Sequence, residues 1–319
     1  MAFAPGSGQA TIPGIQRRVF IVGCPRSGTT LLQSLLAAHS QIYSFPESQF
    51  FPFLFSNDQA DRWLNSNFEP SWLKPGLKLA ARKLIFGAAR SRLQARIHDF
   101  LADIDQTQFE TQFPQAAIAA KTAYTQAFWQ ILDQITQAQG KTVWIEKSPL
   151  HLHYLDYITQ HVPQVLFIHI VRSGTDTIAS LYDVRQRYPN HWRQIAATPT
   201  HCTHEWIRAI KISQRYRDRP NHVVLSYEQL VHHTEAVMQL LCRAIGVEFE
   251  PHMLTRYTQV ARQVSLSSEP WKQQVEKPIQ NQNSTKFLTL FSPEEQAEIG
   301  DRVAEFDLAA IANLQISQP

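Results

Sequence analysis

The sequence contains few cysteines and no long apolar run, and each absence excludes a class of protein. Only three cysteines, Cys24, Cys202 and Cys242, occur among 319 residues, and none has the CxxC spacing. The sequence therefore predicts neither a disulfide framework nor a cysteine-based zinc site. No apolar run approaches the roughly 20 residues that a membrane-spanning helix needs. The opening residues, MAFAPGSGQATIPGIQRR, lack the apolar segment of a signal peptide, so we expect a reducing, cytoplasmic setting.

The sequence also lacks a strong excess of charge. Its formal net charge of +3 is too small to indicate nucleic-acid binding, and its hydrophobic content of 44% is ordinary for a globular chain. No internal repeat and no low-complexity linker divides it. The simplest organisation is one domain over 1–319, with a loose lead-in over 1–16 and a helical insertion over 50–140, where the pattern is helical and shows no clear strand.

The stretch from Val19 to Thr30 reads VFIVGCPRSGTT and organises the rest of the chain. Its four leading apolar residues predict a buried parallel strand. Gly23 and Gly28 frame a tight loop, and the apolar periodicity that follows predicts a helix. A strand, a glycine loop and a helix start aim free backbone N–H groups and the positive end of the helix dipole at an anion. The stretch therefore predicts a phosphate-binding loop.

This loop departs from a P-loop in one respect. The spacing of its glycines is that of GxxxxGK[ST], but Thr29 stands where the lysine belongs. Arg26 supplies a cation inside the loop instead. Anion binding is thus retained without the side chain that reaches a β- or γ-phosphate, so we expect a nucleotide phosphate here but not an ordinary ATPase.

Three further apolar runs predict strands of the same sheet, at 142–145, 165–171 and 223–225. Helical segments separate them, and this rhythm predicts an α/β fold with a P-loop-like parallel sheet flanked by helices. A residue able to contact an anion follows each of the four strands: Arg26, Lys147, Arg172 and Tyr227. Because ligands of such sheets bind outside the carboxyl ends of the strands, we expect these side chains to share one crevice.

The strand ends do not carry the magnesium ligand of a nucleoside triphosphatase. Such an enzyme has an aspartate after an apolar strand, whereas the most apolar strand here ends at Arg172. We therefore predict a metal-independent site for a nucleotide with anions at two places. Arg26 and the loop amides would bind one anion, and Arg172 with Ser180 would bind the other. Two alternatives stay open: a nucleotide kinase or NTPase with a degenerate P-loop, and a non-catalytic phosphonucleotide-binding module.

Four short blocks lie at these strand ends: Pro25-Arg26-Ser27-Gly28-Thr29-Thr30, Lys147-Ser148-Pro149, Val171-Arg172-Ser173-Gly174 with Ser180, and Ser226-Tyr227-Glu228-Gln229-Leu230. They resemble the PAPS-dependent sulfotransferases, most closely the branch of the tyrosylprotein sulfotransferases and their bacterial relatives. The first block is similar to the family's 5′-phosphosulfate loop and the third to its 3′-phosphate motif. The resemblance covers about 19–50 and 141–230, which is the scaffold of the sheet.

The resemblance implies a donor and a product. The donor would be PAPS (3′-phosphoadenosine 5′-phosphosulfate) and the product adenosine 3′,5′-bisphosphate, with Tyr227 among the nucleotide contacts. Ser284-Thr285-Lys286-Phe287 is similar to the family's last PAPS-contacting loop, although it lacks the tryptophan after the lysine. Lys286 is carried over on that similarity. The acceptor would be a hydroxyl, or less commonly an amine.

The resemblance also implies a catalytic base. Related enzymes carry a catalytic glutamate at the position of Glu47, and Arg26 with Lys147 would stabilise the departing phosphate during an in-line displacement. Ser44-Phe45-Pro46-Glu47 fits a helix capping box as well, with Ser44 as the N-cap. The two interpretations of Glu47 are compatible, because a cap would also fix the position of the carboxylate.

A basic stretch over 74–96 contains seven lysines and arginines and no acidic residue. Its spacing is typical of an amphipathic helix that lies on a membrane surface or faces an anionic substrate, although a solvated face is the simpler explanation. Nothing in the insertion identifies the acceptor, so protein tyrosine, glycan, lipid and secondary metabolite all stay open.

Three residues with reactive side chains have non-catalytic interpretations. His151 and His153 cannot readily share a metal, because side chains two apart on a helix diverge. We expect both histidines to be solvated or to face the substrate. Cys24 lies in the phosphate loop, and we expect it to be a small apolar filler.

Overall fold

The computed structural model describes residues 14–56, 92–114, 120–189, 198–264 and 285–314. Within these ranges the strands are β1 (Arg17–Gly23), β2 (Ile42–Phe45), β3 (Val143–Lys147), β4 (Val165–Val171) and β5 (His222–Ser226). They form one sheet in the order β2-β3-β1-β4-β5, and every neighbouring pair is parallel. The predicted fold class, a parallel α/β sheet flanked by helices, is confirmed.

The strand β1 lies at the centre of the sheet, where both of its faces are covered. Phe20 and Val22 pack into the core on one face, and Val19 and Ile21 pack into the core on the other. A strand buried on both faces reads as a continuous apolar run, as this one does. Ile21 pairs with Lys147 of β3 and with Ile168 of β4, so these strands end at the same edge of the sheet.

Helices cover both faces. In the described ranges they are α1 (Thr29–Ala37), α2 (Phe50–Leu54), α3 (92–102), α4 (Lys121–Ala138), α5 (Leu155–His161), α6 (Gly174–Arg187), α7 (Pro199–Tyr216), α8 (Tyr227–His232), α9 (Thr234–Ile245), α10 (Met253–Val264), α11 (Thr285–Leu290), α12 (Pro293–Ala304) and α13 (Leu308–Ile311). Single 3-10 turns occupy Thr107–Gln112 and Pro149–Tyr154. Helices α1 and α9 build one core, and α4 and α7 build the other. No helix among the described residues has both the length and the apolar character needed to cross a membrane.

The sheet has one strand more than the sequence predicts. The edge strand β2 pairs with β3 from Ile42, opposite Val143, to Phe45, opposite Glu146. Four residues are too few for the period-two pattern to stand out. The described residues of the insertion are helical or loop, as predicted. Residues 57–91, which hold most of the basic stretch, and 1–13, which hold most of the lead-in, lie outside the described residues.

The predicted capping box at 44–47 is wrong. Ser44 lies inside β2, and its hydroxyl accepts a hydrogen bond from Gln33 Nε2 at 3.0 Å. Helix α2 begins only at Phe50, and Gln49 before it has a left-handed φ of 49°. The pairing of β2 with β3 takes precedence over the local capping pattern. Glu47 therefore lies in the loop between β2 and α2, where its carboxylate has no capping role.

Candidate active site

The loop between β1 and α1 presents backbone amides at the edge of the sheet. Gly28 precedes α1 with a φ of 96°, and no side chain caps the first amides of the helix. These amides carry the positive end of the helix dipole, so they suit an anion. The Ser27 hydroxyl is buried, and no hydrogen-bond partner for it exists in the described part of the chain. A buried polar atom is costly unless a partner satisfies it, so both observations point to an anionic ligand.

Arg26, Ser180 and Arg172 meet beside this loop. Arg26 Nε donates a hydrogen bond to Ser180 Oγ at 3.2 Å, and Arg172 Nη1 donates to the carbonyl oxygen of Arg26 at 3.3 Å. The three residues come from the loop after β1, from α6 and from the end of β4. The structure thus brings the two predicted anion-binding blocks together. Two guanidinium groups beside an uncapped helix start create a region of positive potential.

Tyr227 packs between the two blocks. Its ring lies under the Arg172 guanidinium, with 4.4 Å from Cζ to the ring centroid. A Cβ on Gly28 would lie only 2.3 Å from the same ring, so residue 28 must be glycine for the ring to approach the loop. Burial raises the pKa of the Tyr227 hydroxyl above its usual value. The predicted position at the crevice is observed, and the ring supports both the loop and Arg172.

Glu47 and Lys147 form an ion pair at the carboxyl end of β3. Lys147 Nζ lies 2.7 Å from Glu47 Oε2, and the other carboxylate oxygen accepts a hydrogen bond from Gln49 Nε2 at 3.0 Å. The Lys147 side chain is 2% exposed and the Glu47 side chain 17%. The carboxylate is therefore reachable from outside, while the lysine is almost enclosed. The predicted base and the predicted cation are thus in direct contact.

Glu146 and His151 form a buried pair behind the Glu47 loop. His151 Nε2 lies 3.4 Å from the amide nitrogen of Phe51, and its Nδ1 lies 3.0 Å from Glu146 Oε2. Burial raises the pKa of Glu146, but His151 and hydrogen bonds from Ser148 and Ser48 lower it to a net value below the usual range. Glu146 is therefore a buried carboxylate. The expectation that His151 is solvated or faces the substrate is wrong.

Lys286 lies on α11 and contacts α6, the helix that carries Ser180. Its ammonium group lies 2.6 Å from Asp183 Oδ2, and Asp183 follows Ser180 on α6 by one helical turn. Contact between Lys286 and a nucleotide stays a prediction. Cys24 is fully buried, and burial raises the pKa of its thiol well above the usual value, which confirms the apolar role. His153 is exposed, as expected.

Sequence reasoning missed three residues that hold the site in shape. Trp206 Nε1 donates to the carbonyl oxygen of Arg172 at 3.0 Å, and Glu228 accepts the amide hydrogen of Ser173 at 3.0 Å. Arg96 donates to carbonyl groups of the Glu47 loop. Glu228 lies in a block singled out above, so its position was a usable signal. Trp206 carries no motif and Arg96 belongs only to the basic stretch over 74–96, and the contacts of both depend on residues far from them in sequence.

A parallel sheet with a glycine loop before α1 and cations at the strand ends defines a P-loop-like α/β protein. A sequence model of the sulfotransferase family matches residues 18–251, so the chain belongs to that family. This confirms the resemblance that the four strand-end blocks carry.

Curated relatives agree with this assignment. The chain is 24% identical over 275 residues to protein-tyrosine sulfotransferase 1 of Danio rerio, covering 85% of this chain and 65% of the relative. It is 25% identical over 245 residues to nodulation protein NoeE of Sinorhizobium fredii, covering 72% and 50%. The chain thus spans between half and two thirds of these relatives.

Two solved domains share the fold. The sulfotransferase domain of the olefin synthase of Synechococcus PCC 7002 superposes with a TM-score of 0.54 at 20% identity, over 96% of this chain and 99% of that one. The sulfotransferase domain of the curacin biosynthetic pathway superposes with a TM-score of 0.51 at 21% identity, over 92% and 99%. The similarity extends along nearly the whole of both solved domains.

Proposed function

We propose that this protein transfers a sulfuryl group from PAPS to a hydroxyl group of an acceptor. The observation that carries the proposal is the meeting of Arg26, Ser180 and Arg172 beside the start of α1, in a chain of the sulfotransferase family. Cationic groups at two places along one sheet edge suit a nucleotide with two separate anions. ATP carries its negative charge in one chain of three phosphates, so that charge would not occupy two separate places.

The residues at the loop fit the 5′ end of this nucleotide. The uncapped amides at the start of α1 and the buried Ser27 hydroxyl would donate hydrogen bonds to the phosphosulfate, with the Arg26 guanidinium beside them. Thr29 and Thr30, in the first turn of α1, add hydroxyl groups at the same place. Arg172 and Ser180 would hold the 3′-phosphate, because both lie on the β4 and α6 side of the loop.

Glu47 is the proposed base. As the acceptor oxygen bonds to sulfur, the bond from sulfur to the 5′-phosphate oxygen breaks, and the acceptor proton passes to a carboxylate oxygen of Glu47. Lys147 and Arg26 stabilise the charge that forms on the departing phosphate. The 2.7 Å ion pair supports this assignment, since neutralisation of Glu47 by the proton frees the Lys147 ammonium group to turn towards that charge.

The acceptor is proposed to be a hydroxyl-bearing molecule, with a tyrosine side chain as the first to test. Four of the curated relatives are named as protein-tyrosine sulfotransferases, and a phenol is the most acidic hydroxyl among protein side chains. The partly exposed carboxylate of Glu47 is accessible to such a group. A glycan and an amine serve as the comparison acceptors.

Calorimetry and a transfer assay test the proposal together. Adenosine 3′,5′-bisphosphate is expected to bind at least about tenfold more tightly than ATP, with or without magnesium, because the 3′-phosphate gains charge-assisted hydrogen bonds. PAPS is expected to be consumed in the presence of a tyrosine-containing peptide. Equal or tighter binding of ATP would overturn the proposal in favour of a degenerate NTPase. Binding of the bisphosphate without transfer to any acceptor would leave a nucleotide-binding module.

A further inference from the structure

Three consecutive residues at the end of β3 contact the loop that carries Glu47. Lys147 pairs with the Glu47 side chain, as described. Glu146 Oε1 accepts hydrogen bonds from the amide and the hydroxyl of Ser48, at 2.9 Å and 2.8 Å. Ser148 Oγ accepts the amide hydrogen of Gln49 at 2.9 Å and donates to Glu146 Oε1 at 2.5 Å. The end of β3 thus binds the loop residue by residue.

Arg96 holds the same loop from the insertion side. Its Nε donates to the carbonyl oxygen of Ser48 at 2.8 Å, and its Nη2 donates to the carbonyl oxygen of Glu47. Arg96 belongs to α3, which is remote in sequence from both β2 and β3. Glu146 and Ser148 therefore accept hydrogen bonds from the loop amides, and Arg96 donates hydrogen bonds to the loop carbonyl groups.

The loop needs such support because of its shape. Gln49 adopts a φ of 49°, a conformation that costs free energy for a residue with a side chain. A loop in this state keeps one geometry only where surrounding groups determine it. Charge-assisted hydrogen bonds are among the strongest such restraints, and here a fully buried carboxylate accepts them and a guanidinium donates them.

We propose that Glu146 and Arg96 are positioning residues that clamp the loop over 47–49 and so fix the carboxylate of Glu47 towards the acceptor. This inference rests on the proposed function, in which Glu47 is the base. Glu146 has no exposed area, so it acts through the loop and does not touch substrate. A base displaced by about 1 Å loses much of its effect, which makes the clamp a determinant of the rate.

The test compares Glu146→Gln with Asp133→Asn as a matched control. Asp133 is also a fully buried carboxylate that contacts β3, since it accepts a hydrogen bond from Trp144 Nε1 at 2.7 Å, but Trp144 lies near the opposite end of that strand. Glu146→Gln is expected to lower kcat at least tenfold with an unchanged KM for PAPS, using the tyrosine peptide as acceptor. Asp133→Asn is expected to lower stability without this loss of kcat.

Two further measurements separate positioning from folding. Amide hydrogen exchange at Ser48 and Gln49 is expected to be at least tenfold faster in Glu146→Gln than in wild type, and unchanged in Asp133→Asn. The double variant Glu47→Gln with Glu146→Gln is expected to be no slower than Glu47→Gln alone, because Glu146 acts only through Glu47. Arg96→Gln replaces Glu146→Gln if that variant does not fold. It removes hydrogen bonds to the loop carbonyl groups without changing the fully buried Glu146.

Unchanged exchange at Ser48 and Gln49 in the clamp variants would overturn the proposal. So would a loss of kcat no greater than that of Asp133→Asn, or an additive loss in the double variant. A wild-type protein that neither binds adenosine 3′,5′-bisphosphate nor consumes PAPS would overturn the proposed function instead. The exchange rates would then still show whether Glu146 and Arg96 hold the loop, since that measurement uses no substrate.

Discussion

The guanidinium of Arg172 stacks on the ring of Tyr227, with 4.4 Å from Cζ to the ring centroid. The two residues follow neighbouring strands, and the same guanidinium donates to the carbonyl oxygen of Arg26. Arg172 thus links the ends of three strands, β1, β4 and β5. A side chain fixed on two sides is held in one orientation, which lowers the entropy lost when an anion binds.

Replacing Arg172 by alanine is expected to weaken binding of adenosine 3′,5′-bisphosphate by roughly tenfold or more, since a hydrogen bond to a charged group contributes about 1.5–3 kcal/mol. Binding of adenosine 5′-monophosphate, which lacks the 3′-phosphate, is expected to change much less. Calorimetry with both nucleotides measures the difference. Equal losses would mean that Arg172 supports the fold and does not serve the 3′-phosphate.

Gly28→Ala is expected to cost more stability than Gly246→Ala. Both residues have nearly the same φ, 96° and 95°, so each variant pays about 1–2 kcal/mol for left-handed backbone. A Cβ at 28 also meets the Tyr227 ring at 2.3 Å, whereas a Cβ at 246 meets nothing within 4 Å. Urea unfolding of both variants measures the extra cost, and only Gly28→Ala is expected to lose nucleotide affinity. Identical losses of stability would argue against a tight fit of the ring.

Glu47→Gln is expected to lower turnover of PAPS by about 10²–10⁴-fold, the range for loss of a general base. Nucleotide affinity is expected to persist, because Glu47 lies on the other side of β1 from Arg172. Ser44→Ala is the control. Ser44 lies within β2, accepts a hydrogen bond from Gln33 of α1 and caps no helix, so turnover is expected to survive. Near-normal turnover of Glu47→Gln would require a different base.

Stability is expected to fall as the pH drops from about 6.5 to about 4. His222 Nδ1 lies 2.9 Å from His169 Nε2 in the core. Burial, with the nearby Arg219, lowers the pKa of His222 from 6.5 to about 4, and burial lowers that of His169 well below 6.5. The unfolded chain therefore binds protons first as the pH falls, while the contribution is fully present above pH 6.5.

For His222 alone, the loss over this window is on the order of 3 kcal/mol at most. Denaturant unfolding of wild type and His222→Gln at pH 7, 6, 5 and 4 measures it. The variant is expected to show the flatter dependence on pH, since its side chain does not titrate. Parallel curves for the two proteins would show that other groups govern acid stability.

The sequence allowed β1, the phosphate loop and the meeting of Arg26 with Arg172 and Ser180 to be predicted, because the topology of a parallel sheet brings the carboxyl ends of its strands to one edge. Arg26, Arg172 and Ser180 are accordingly in contact. Lys147 contacts Glu47, and a crevice shared by Lys147 with Arg26 and Arg172 stays a prediction. The local chemistry of a glycine loop before a helix is also independent of distant residues. These features follow from nearby sequence and from general rules of chain connection.

Other parts of the site depend on pairings that no local pattern shows. The residues 44–47 satisfy a capping pattern, yet the hydrogen bonds of β2 to β3 determine their structure. Arg96 belongs to a basic stretch for which solvation is the simplest expectation, yet it binds the Glu47 loop. His151 follows Lys147 closely in sequence and is buried against Glu146. In each case a tertiary contact outweighs the local preference.

The strand order has a consequence for how new specificities arise. The groups proposed to contact the acceptor lie on β3 and beside β2, and the single run of chain from Ile42 to Lys147 contains both strands. The groups proposed to hold the two phosphates of the donor, Arg26, Arg172 and Ser180, lie outside this run. On the proposed function, Glu47 and its partner Lys147 are therefore contiguous in sequence with the insertion that separates β2 from β3. We expect exchange of this run between two family members to change the acceptor side, while Arg26, Arg172 and Ser180 are inherited unchanged.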